Sequence, residues 1–361
     1  MFSNIFHGKR VWLSGHTGFK GAWLSEWLLS LGAEVFGFAL APDTKPALFE
    51  QIGLDRRLRH EIGDIRSPEV VKRSLLAANP DFVFHLAAQP LVRRSYLLPV
   101  ETYETNVMGT IHVMEALREL NHSCTAVMVT TDKCYENREH GLPYSEEDHL
   151  GGRDPYSSSK AMAEIAIAAY RQSYFNKPGT PIRIASARAG NVIGGGDWAE
   201  DRIVPDSVRA LQKRERILVR NPFATRPWQH VLEPLSGYLW LAASLAQNEA
   251  IPRAFNFGPN ADCNRSVGDL VKEILKCWSG HWDDKSDPNA LHEAKLLNLS
   301  IKKAAESLHW APVWSLEQAI QHTMSWYHAC VEDRSENRAL LSAQIDSYCV
   351  DAKKLQVPWA S

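Results

Sequence analysis

A glycine-rich turn between a short apolar strand and a helix constrains the fold of this chain more than any other segment. The strand, residues 10–14, runs directly into the turn GHTGFKG, residues 15–21, and residues 22–31 then show helical periodicity. Glycines there permit a tight bend, close approach of the backbone to a pyrophosphate and packing of the helix on the sheet. Because the helix N-terminus faces the phosphates, the turn predicts a dinucleotide-binding site. The residues predicted to bind the dinucleotide here are Gly15, His16, Gly18, Phe19 and Gly21.

Further apolar strands follow at spacings that leave room for a helix between them. They lie at residues 34–40, 61–65, 81–86 and 182–188. Their alternation with helical segments predicts an α/β fold with a right-handed, parallel, doubly wound sheet of the Rossmann type. Helices are expected at 100–120, 155–170, 203–217 and 235–246. The charged helix at 203–217 is expected to be mostly exposed to solvent. A last strand is expected at 255–258.

The ends of the second, third and fourth strands are the expected edge of a cofactor site. The position that usually holds a ribose-binding acid is Ala39, and Asp43 either replaces that acid or caps a turn. No Arg at 39–42 is placed to bind a 2′-phosphate, which favours NAD over NADP. Asp64 and Ile65 either contact adenine or lead into the cap of the next helix. The remaining residues predicted to border the cofactor are Leu86 and Ala87.

Two polar groups follow the fifth apolar strand, which ends at Val129. Thr131, Asp132 and Lys133 lie directly after it, and Tyr156 and Lys160 lie four residues apart at the start of a helix. Residues at this spacing share one helix face, so the ammonium group can favour the phenolate form of Tyr156 and prepare it as a base. Alternatively, the spacing is a coincidence on a half-exposed helix.

Composition narrows the classes of function. Forty basic and forty-two acidic residues give a net charge of -2, which argues against a general binder of nucleic acid or of membrane surfaces. The six cysteines are scattered without metal-ligand spacing, so no metal site and no disulfide framework are expected. No signal-peptide core and no apolar run of membrane-spanning length occur. We therefore expect a cytoplasmic protein.

Assembled, these motifs resemble the extended short-chain dehydrogenase/reductases, and within them the nucleotide-sugar 4,6-dehydratases. The most specific segments are GHTGFKG (15–21), TTDKCYEN (130–137), YSSSK (156–160), ARAGNVIGGGDW (187–198) and RPWQHVLEP (226–234). Relatives acting on dTDP-glucose and GDP-mannose have Glu where this chain has Lys133. This difference suggests the branch that acts on CDP-glucose.

The resemblance implies a cycle of oxidation, water elimination and reduction with NAD as the cofactor. Tyr156 would take the proton of the sugar 4-hydroxyl, and Thr131 would bind the 4-oxygen. Lys160 would hold Tyr156 as phenolate and bind the nicotinamide ribose, so Tyr156 and Lys160 are also implied cofactor-binding residues. Asp132 would protonate the 6-hydroxyl leaving group, which requires a raised pKa, and Lys133 would be the base at C5. The implied substrate-binding residues are Gln89, Asn191, Trp198, Arg202, Arg220, Arg226 and Trp228.

The resemblance also implies a domain organisation and an assembly. A Rossmann domain would span 1–186, with a segment at about 229–257 returning to it. A sugar-nucleotide domain would span 187–330, and 331–361 would form a tail. The resemblance further implies a homodimer or homotetramer and a role in deoxysugar and O-antigen biosynthesis. A nucleotide-sugar 4-epimerase and a non-catalytic NAD(H)-binding protein are the alternatives.

Overall fold

A seven-stranded parallel sheet forms the centre of the structure. The protein is represented by a computed structural model that describes residues 1–139, 141–177, 179–248, 250–260, 263–286, 297–332 and 337–361. The strands, in chain order, are β1 (Arg10–Ser14), β2 (Glu34–Ala39), β3 (Arg59–Ile62), β4 (Phe82–His85), β5 (Cys124–Val129), β6 (Ile182–Ala189), β7 (Val192–Ile193), β8 (Ile217–Val219), β9 (Thr225–Pro227), β10 (Gln229–His230), β11 (Ala254–Phe257), β12 (Asn264–Ser266) and β13 (Trp282–Asp284). The order across the central sheet is β11-β6-β5-β4-β1-β2-β3, and the predicted doubly wound fold is confirmed.

Helices cover both faces of this sheet, and its inner strands β4 and β5 are mostly apolar. They are α1 (Phe19–Ser30), α2 (Leu48–Gln51), α3 (Pro68–Ala78), α4 (Val92–Leu97), α5 (Pro99–Tyr103), α6 (Gly109–Arg118), α7 (Pro155–Tyr170), α8 (Ile203–Gln212), α9 (Leu232–Gln247), α10 (Val267–Cys277), α11 (Lys302–Leu308), α12 (Leu316–Glu332) and α13 (Asn337–Lys354). Every residue of β4 and β5 is buried, as expected for parallel strands covered on both sides. Within the described ranges, no helix is both long and apolar enough to cross a membrane.

Several predicted element boundaries were wrong, and the causes are local. The helix predicted at 203–217 ends at Gln212, because Arg214 adopts a positive φ of 58° and Ile217–Val219 pairs as a strand with Trp282–Asp284. This helix also buries Val204, Val208 and Leu211, so it is not mainly a solvated face. The predicted strands at 34–40, 61–65 and 81–86 end earlier, at Ala39, Ile62 and His85.

The helix predicted at 100–120 is also interrupted. A π-helical turn, Glu104–Met108, separates α5 from α6. The predicted apolar helix at 235–246 begins earlier, at Leu232.

The last described segment packs onto the core, although its polar composition did not predict this packing. Residues 337–354 form α13, and the fully buried ring of Trp359 stacks on Phe2 with 5.1 Å between centroids. Trp359 also contacts Trp27 edge-on, so this segment closes over α1. Positions 287–296 and 333–336, which fall within the predicted substrate domain and tail, lie outside the described residues. The predicted domain limits stay a prediction.

A buried carboxylate joins α9 to this last segment. Glu233 is fully buried and accepts hydrogen bonds from the backbone N–H groups of Val313 and Trp314, at 2.9 and 2.8 Å, and from the Tyr348 hydroxyl at 2.7 Å. Burial raises the pKa of Glu233 from 4.5 to about 7, although these hydrogen bonds act in the opposite direction. The carboxyl is therefore protonated in the folded chain at pH values where it is ionised in the unfolded chain.

The raised pKa of Glu233 predicts how the stability of the protein depends on pH. Because the folded pKa lies above the unfolded one, Glu233 contributes less to stability as the pH rises from 4.5 to about 7. Over that window we expect the free energy of unfolding to fall by about 1 to 3 kcal/mol more in the wild type than in Glu233→Gln. Urea unfolding at a series of pH values measures this. The exposed Glu317→Gln should behave like the wild type, and identical pH slopes in wild type and Glu233→Gln would contradict the prediction.

Candidate active site

The candidate site lies where the strand order reverses, between the carboxyl ends of β1 and β4. In a doubly wound sheet, ligands bind in the crevice at this point. Ser14, at the end of β1, accepts hydrogen bonds from the backbone N–H groups of Leu86 and Ala87 at 3.1 and 3.2 Å. Its hydroxyl also lies 2.7 Å from Nδ1 of His85. These bonds hold the two strand ends together at the base of the crevice.

The glycine turn is shaped for a ligand that approaches its backbone closely. Gly15 has a φ of +79°, and a Cβ there would lie 2.8 Å from the backbone nitrogen of Ala87. A Cβ at Gly21 would lie 2.0 Å from the Gly15 carbonyl oxygen, so α1 packs directly on the turn. Gly18 precedes α1 and supplies no side-chain cap. The first N–H groups of α1 therefore have no partner within their own helix and are available to an anion.

The predicted adenosine end of the site lies around Ala39, Asp43 and Asp64. Ala39 and Asp43 both border the cavity, and Asp43 also lies near enough to Arg202 to raise the pKa of that guanidinium. The Asp64 carboxylate binds Arg66, at 2.6 Å, which holds the pKa of Asp64 below its usual value. Ser67, not Asp64, occupies the N-cap of α3. Asp64 therefore leads into the cap of α3, as one of its two interpretations has it, and its contact with adenine stays a prediction.

Tyr156 and Lys160 lie on one face of α7 and are both buried. Burial raises the pKa of Tyr156, and Asp132 adds to the increase, whereas a hydrogen bond with Thr131 and the charge of Arg202 act against it. The net shift is opposite to the lowering expected from Lys160. Burial also lowers the pKa of Lys160 to about 8, against the opposing effect of Glu164.

Thr131, Asp132 and Lys133 form a hydrogen-bonded group at the end of β5. The Thr131 hydroxyl donates to Oδ1 of Asp132 at 2.9 Å, and the Lys133 ammonium lies 3.4 Å from the same oxygen. Lys133 also donates to the Asn191 side-chain oxygen at 3.4 Å. The other Asp132 carboxylate oxygen is buried without a partner. The group therefore holds one ion pair and one unsatisfied acceptor.

A buried network beneath this group was not predicted from the sequence. Glu164, one helical turn after Lys160, binds Arg188 of β6 at 2.8 Å, accepts from Ser186 at 2.9 Å and also accepts from Thr130. On the other side of α7, Asn106 accepts from the Gln89 backbone at 2.8 Å and donates to Ser159 at 2.9 Å. Asn106 is thus a structural residue. These bonds fix α7 relative to the strand ends.

The loop after β6 and the segment around β9 supply the other side of the cavity. Arg202 pairs with Asp197 at 2.8 Å, and Arg220 pairs with Asp201. Arg226 is largely buried and donates to the Thr225 carbonyl oxygen at 2.8 Å. The indole nitrogens of Trp198 and Trp228 donate to Gln51 and to the Arg265 carbonyl oxygen.

Most of the predicted site residues border one cavity of about 1080 Å³. They are Gly15, Gly18, Phe19, Gly21, Asp64, Ile65, Leu86, Ala87, Gln89, Thr131, Lys133, Tyr156, Lys160, Asn191, Trp198, Arg202, Arg220, Arg226 and Trp228. Two do not border it. His16 is fully buried, with its ring against Phe49 and His60, and Asp132 is fully buried behind Thr131 and Lys133.

Lys20 is a cavity-lining cation that was not predicted from the sequence. Lys20, the second residue of α1, borders the cavity beside the predicted catalytic group, and its pKa is lowered to about 7. The sequence did contain a signal for this residue, because Lys20 is a cation within the glycine turn. That turn was interpreted only through its glycines.

A doubly wound sheet whose glycine turn and buried Tyr-Lys pair border a single cavity is typical of the short-chain dehydrogenase/reductases. The family model described as GDP-mannose 4,6 dehydratase matches residues 13–323. The chain therefore belongs to the GDP-mannose 4,6-dehydratase family.

Individual relatives agree with this assignment. CDP-glucose 4,6-dehydratase of Salmonella typhimurium is 44% identical over 347 residues, which cover 94% of this chain and 95% of that protein. A dTDP-glucose 4,6-dehydratase of Streptomyces griseus is 28% identical, over 75% of this chain and 78% of its own.

Solved structures share the fold. UDP-glucose 4-epimerase of Thermotoga maritima superposes with a TM-score of 0.77 at 19% identity, covering 89% of this chain and 99% of that one. The dTDP-glucose 4,6-dehydratase of Bacillus anthracis, solved with NAD, gives 0.74 at 20% identity, covering 89% and 97%.

Proposed function

We propose that this chain converts CDP-glucose to CDP-4-dehydro-6-deoxyglucose and water, with NAD as a cofactor that is regenerated in each turnover. The observation that carries the proposal is the 44% identity, over nearly the whole of both chains, to a CDP-glucose 4,6-dehydratase. The site supports it, because Thr131, Lys133, Tyr156 and Lys160 border the same cavity as the glycine turn.

The residues present fit a dinucleotide. Gly15 keeps the backbone open where a Cβ would collide with Ala87, and the uncapped N-terminus of α1 offers N–H groups to the pyrophosphate. Ala39 supplies no carboxylate for the ribose, so this interaction is weaker than in relatives with an acid there. When bound, NAD accepts a hydride from the sugar and later returns it.

In the oxidation step, we assign Tyr156 as the base for the sugar 4-hydroxyl proton. Because burial raises the pKa of Tyr156, a nearby positive charge must stabilise the phenolate at neutral pH. Lys160, on the same helix face, is the residue we assign to this task. Thr131 donates to Asp132 in this structure, so its hydroxyl must rotate to bind the 4-oxygen.

In the elimination step, we assign Lys133 as the C5 base and Asp132 as the acid at the 6-hydroxyl. A ketone at C4 makes the C5 proton acidic, which is why oxidation comes first. Lys133 already borders the cavity, whereas Asp132 is closed off from it. The acid therefore needs a side-chain rotation that brings its unpartnered oxygen to the sugar.

For the nucleotide, we assign the diphosphate to Asn191 and Arg226 first. A planar guanidinium suits a diphosphate through paired hydrogen bonds. Five further residues are assigned to the substrate in second place, namely Gln89, Trp198, Arg202, Arg220 and Trp228. Gln89, for example, already binds Leu91 and Thr102 with its side chain.

We place the reaction in the cytoplasm, in the synthesis of deoxysugars for a surface polysaccharide such as an O-antigen. We further propose a homodimer or homotetramer that uses the helices at 100–120 and 156–172. Exposed apolar side chains on these helices support this, namely Val100, Met108, Met162 and Ile165.

Mass spectrometry with competing substrates tests the proposed function. Purified protein with NAD⁺ and an equimolar mixture of CDP-, dTDP-, UDP- and GDP-glucose should remove one water from the CDP sugar alone. Water loss from another sugar nucleotide would reject the CDP assignment. An unchanged mass with an altered stereocentre would indicate a 4-epimerase, and no change in any sugar would indicate a non-catalytic binder.

A further inference from the structure

Thr131 joins the two side chains that are assigned as the base of the oxidation step and the acid of the elimination step. Its hydroxyl donates to Oδ1 of Asp132 at 2.9 Å and forms a second hydrogen bond with Tyr156. A hydroxyl has one proton and two lone pairs, so Thr131, which gives its proton to Asp132, accepts from Tyr156. The backbone N–H of Lys133 also donates to this hydroxyl, at 3.4 Å. A continuous chain of hydrogen bonds therefore runs from Tyr156 to Asp132.

Asp132 is closed off from the cavity in this conformation. It is fully buried, and its Oδ2 lies so near the cavity-lining Gly190 that a Cβ on that glycine would be 2.9 Å from it. Among the described residues, the Asp132 carboxylate has hydrogen bonds with Thr131 and Lys133. While the side chain stays in this position, a proton therefore reaches the carboxylate through one of these two neighbours.

The proposed reaction leaves the acid and the base with unequal numbers of protons after each turnover. The hydride that leaves C4 returns to C6, so the cofactor ends as it began. Lys133 takes one proton from C5, and C5 receives one back when the hydride reaches C6, so Lys133 also ends as it began. Tyr156, however, has gained the 4-hydroxyl proton, and Asp132 has lost a proton to the departing water. The next turnover requires one proton to pass from Tyr156 to Asp132.

We propose that Thr131 returns this proton inside the protein, from Tyr156 to Asp132, between one turnover and the next. The inference rests on the proposed function and adds a step to it. The O–H bond of Tyr156 breaks as a new O–H bond forms at Thr131, and Thr131 passes its own proton to Oδ1 of Asp132. No group is oxidised or reduced, and no co-reactant is consumed. A half-turn of the carboxyl group then exchanges its two equivalent oxygens, so the proton can be presented to the next sugar.

The charges of the site fit a structure caught before this transfer. Burial raises the pKa of Tyr156, which keeps the proton on the phenol, and the Lys133 ammonium lies 3.4 Å from the Asp132 carboxylate and stabilises its negative charge. Lys133 must be neutral to act as the C5 base, and a neutral amine no longer stabilises the carboxylate. Loss of the Lys133 charge therefore favours movement of the proton from Tyr156 to Asp132.

Water loss from CDP-glucose, measured by mass spectrometry with and without imidazole at constant pH, tests this relay. Thr131→Val keeps the shape of the side chain without its hydroxyl, and its kcat should fall by about 10²- to 10⁴-fold. Imidazole should raise that kcat by about 10-fold or more, because a small buffer can take the proton of Tyr156 and protonate Asp132 when this side chain is rotated toward the cavity. The lost contact with the 4-oxygen also slows this variant, but imidazole cannot restore that contact.

The controls keep the hydroxyl or remove a different one. Thr131→Ser retains the hydroxyl and should stay within about 5-fold of the wild type, without a response to imidazole. Thr105→Val makes the same change at another threonine that borders the cavity, and it should match the wild type. Thr131→Ala carries the expectation of Thr131→Val, in case the Val variant folds poorly.

Two outcomes would overturn the inference. Turnover of Thr131→Val and Thr131→Ala close to that of Thr131→Ser would show that the hydroxyl carries no proton. A large loss in both variants that imidazole leaves unchanged would restrict Thr131 to binding the 4-oxygen. In either case, water loss by the wild type would leave the proposed function standing, whereas a wild type that removes no water from CDP-glucose would reject both.

Discussion

Replacing Tyr156 with Phe is expected to slow the first hydride transfer by about 10²- to 10⁴-fold. The substitution removes the phenolic oxygen assigned to take the 4-hydroxyl proton and keeps the ring. Because Tyr156 is buried, Phe fills the same space, and the variant reports on the loss of the hydroxyl. Single-turnover formation of reduced nicotinamide, followed by absorbance with saturating CDP-glucose, measures the effect.

The matched control is Tyr103→Phe. The Tyr103 hydroxyl lies 2.6 Å from that of Ser158 on the same helix as Tyr156, but Tyr103 does not belong to the cavity lining. Its loss should change the rate by less than about 3-fold, as expected for a single hydrogen bond remote from the chemistry. Full activity of Tyr156→Phe would remove Tyr156 as the base. An equal loss in both variants would indicate a disturbed α7 instead.

The central fold was predictable because its signals are local. Alternating apolar strands and helices, with glycines at 15, 18 and 21, specify a parallel sheet and its crevice from spacing alone. Chain order then brings the ends of β1, β4 and β5 to one edge of the sheet, so Gly15, Ala87 and Thr131 meet without any knowledge of side-chain packing.

The element boundaries and packing contacts that the sequence did not predict depend on contacts between distant segments. The end of α8 is set by pairing of Ile217–Val219 with a strand some sixty-five residues later, which no local pattern contains. The polar tail carries its anchors, Tyr348 and Trp359, as isolated aromatics whose partners lie in α9 and at the N-terminus.

The electrostatics of the site were the least accessible from the sequence. Spacing placed Tyr156 near Lys160, but burial outweighs the expected influence of that ammonium on the phenol. The pairing of Arg202 with Asp197 and the burial of Asp132 likewise depend on how the loop after β6 folds back over the cavity. Residue types therefore predicted which groups meet, and the tertiary structure decides their charge states.

Lys133→Met is expected to leave the oxidation step within about 3-fold of the wild type and to slow water loss by about 10²- to 10⁴-fold. Reduced nicotinamide should accumulate, because the 4-keto sugar forms but its C5 proton is not removed. Absorbance of the reduced cofactor and the mass of the sugar nucleotide, sampled together over time, separate the two steps. The control is Lys72→Met on α3, a partly exposed lysine whose partner is Glu119, and this variant should match the wild type in both steps.

Lys133 also pairs with Asp132, so a loss of activity alone would not distinguish a base from a counter-ion. Lys133→Arg makes the distinction, because a guanidinium keeps the positive charge beside Asp132 but is effectively always protonated. If Lys133 is the base, Arg should fail as Met does, whereas Glu, whose carboxylate can itself accept a proton, should recover part of the water loss. Recovery by Arg would make Lys133 a partner that positions Asp132. Unchanged water loss in Lys133→Met would remove Lys133 from the elimination step.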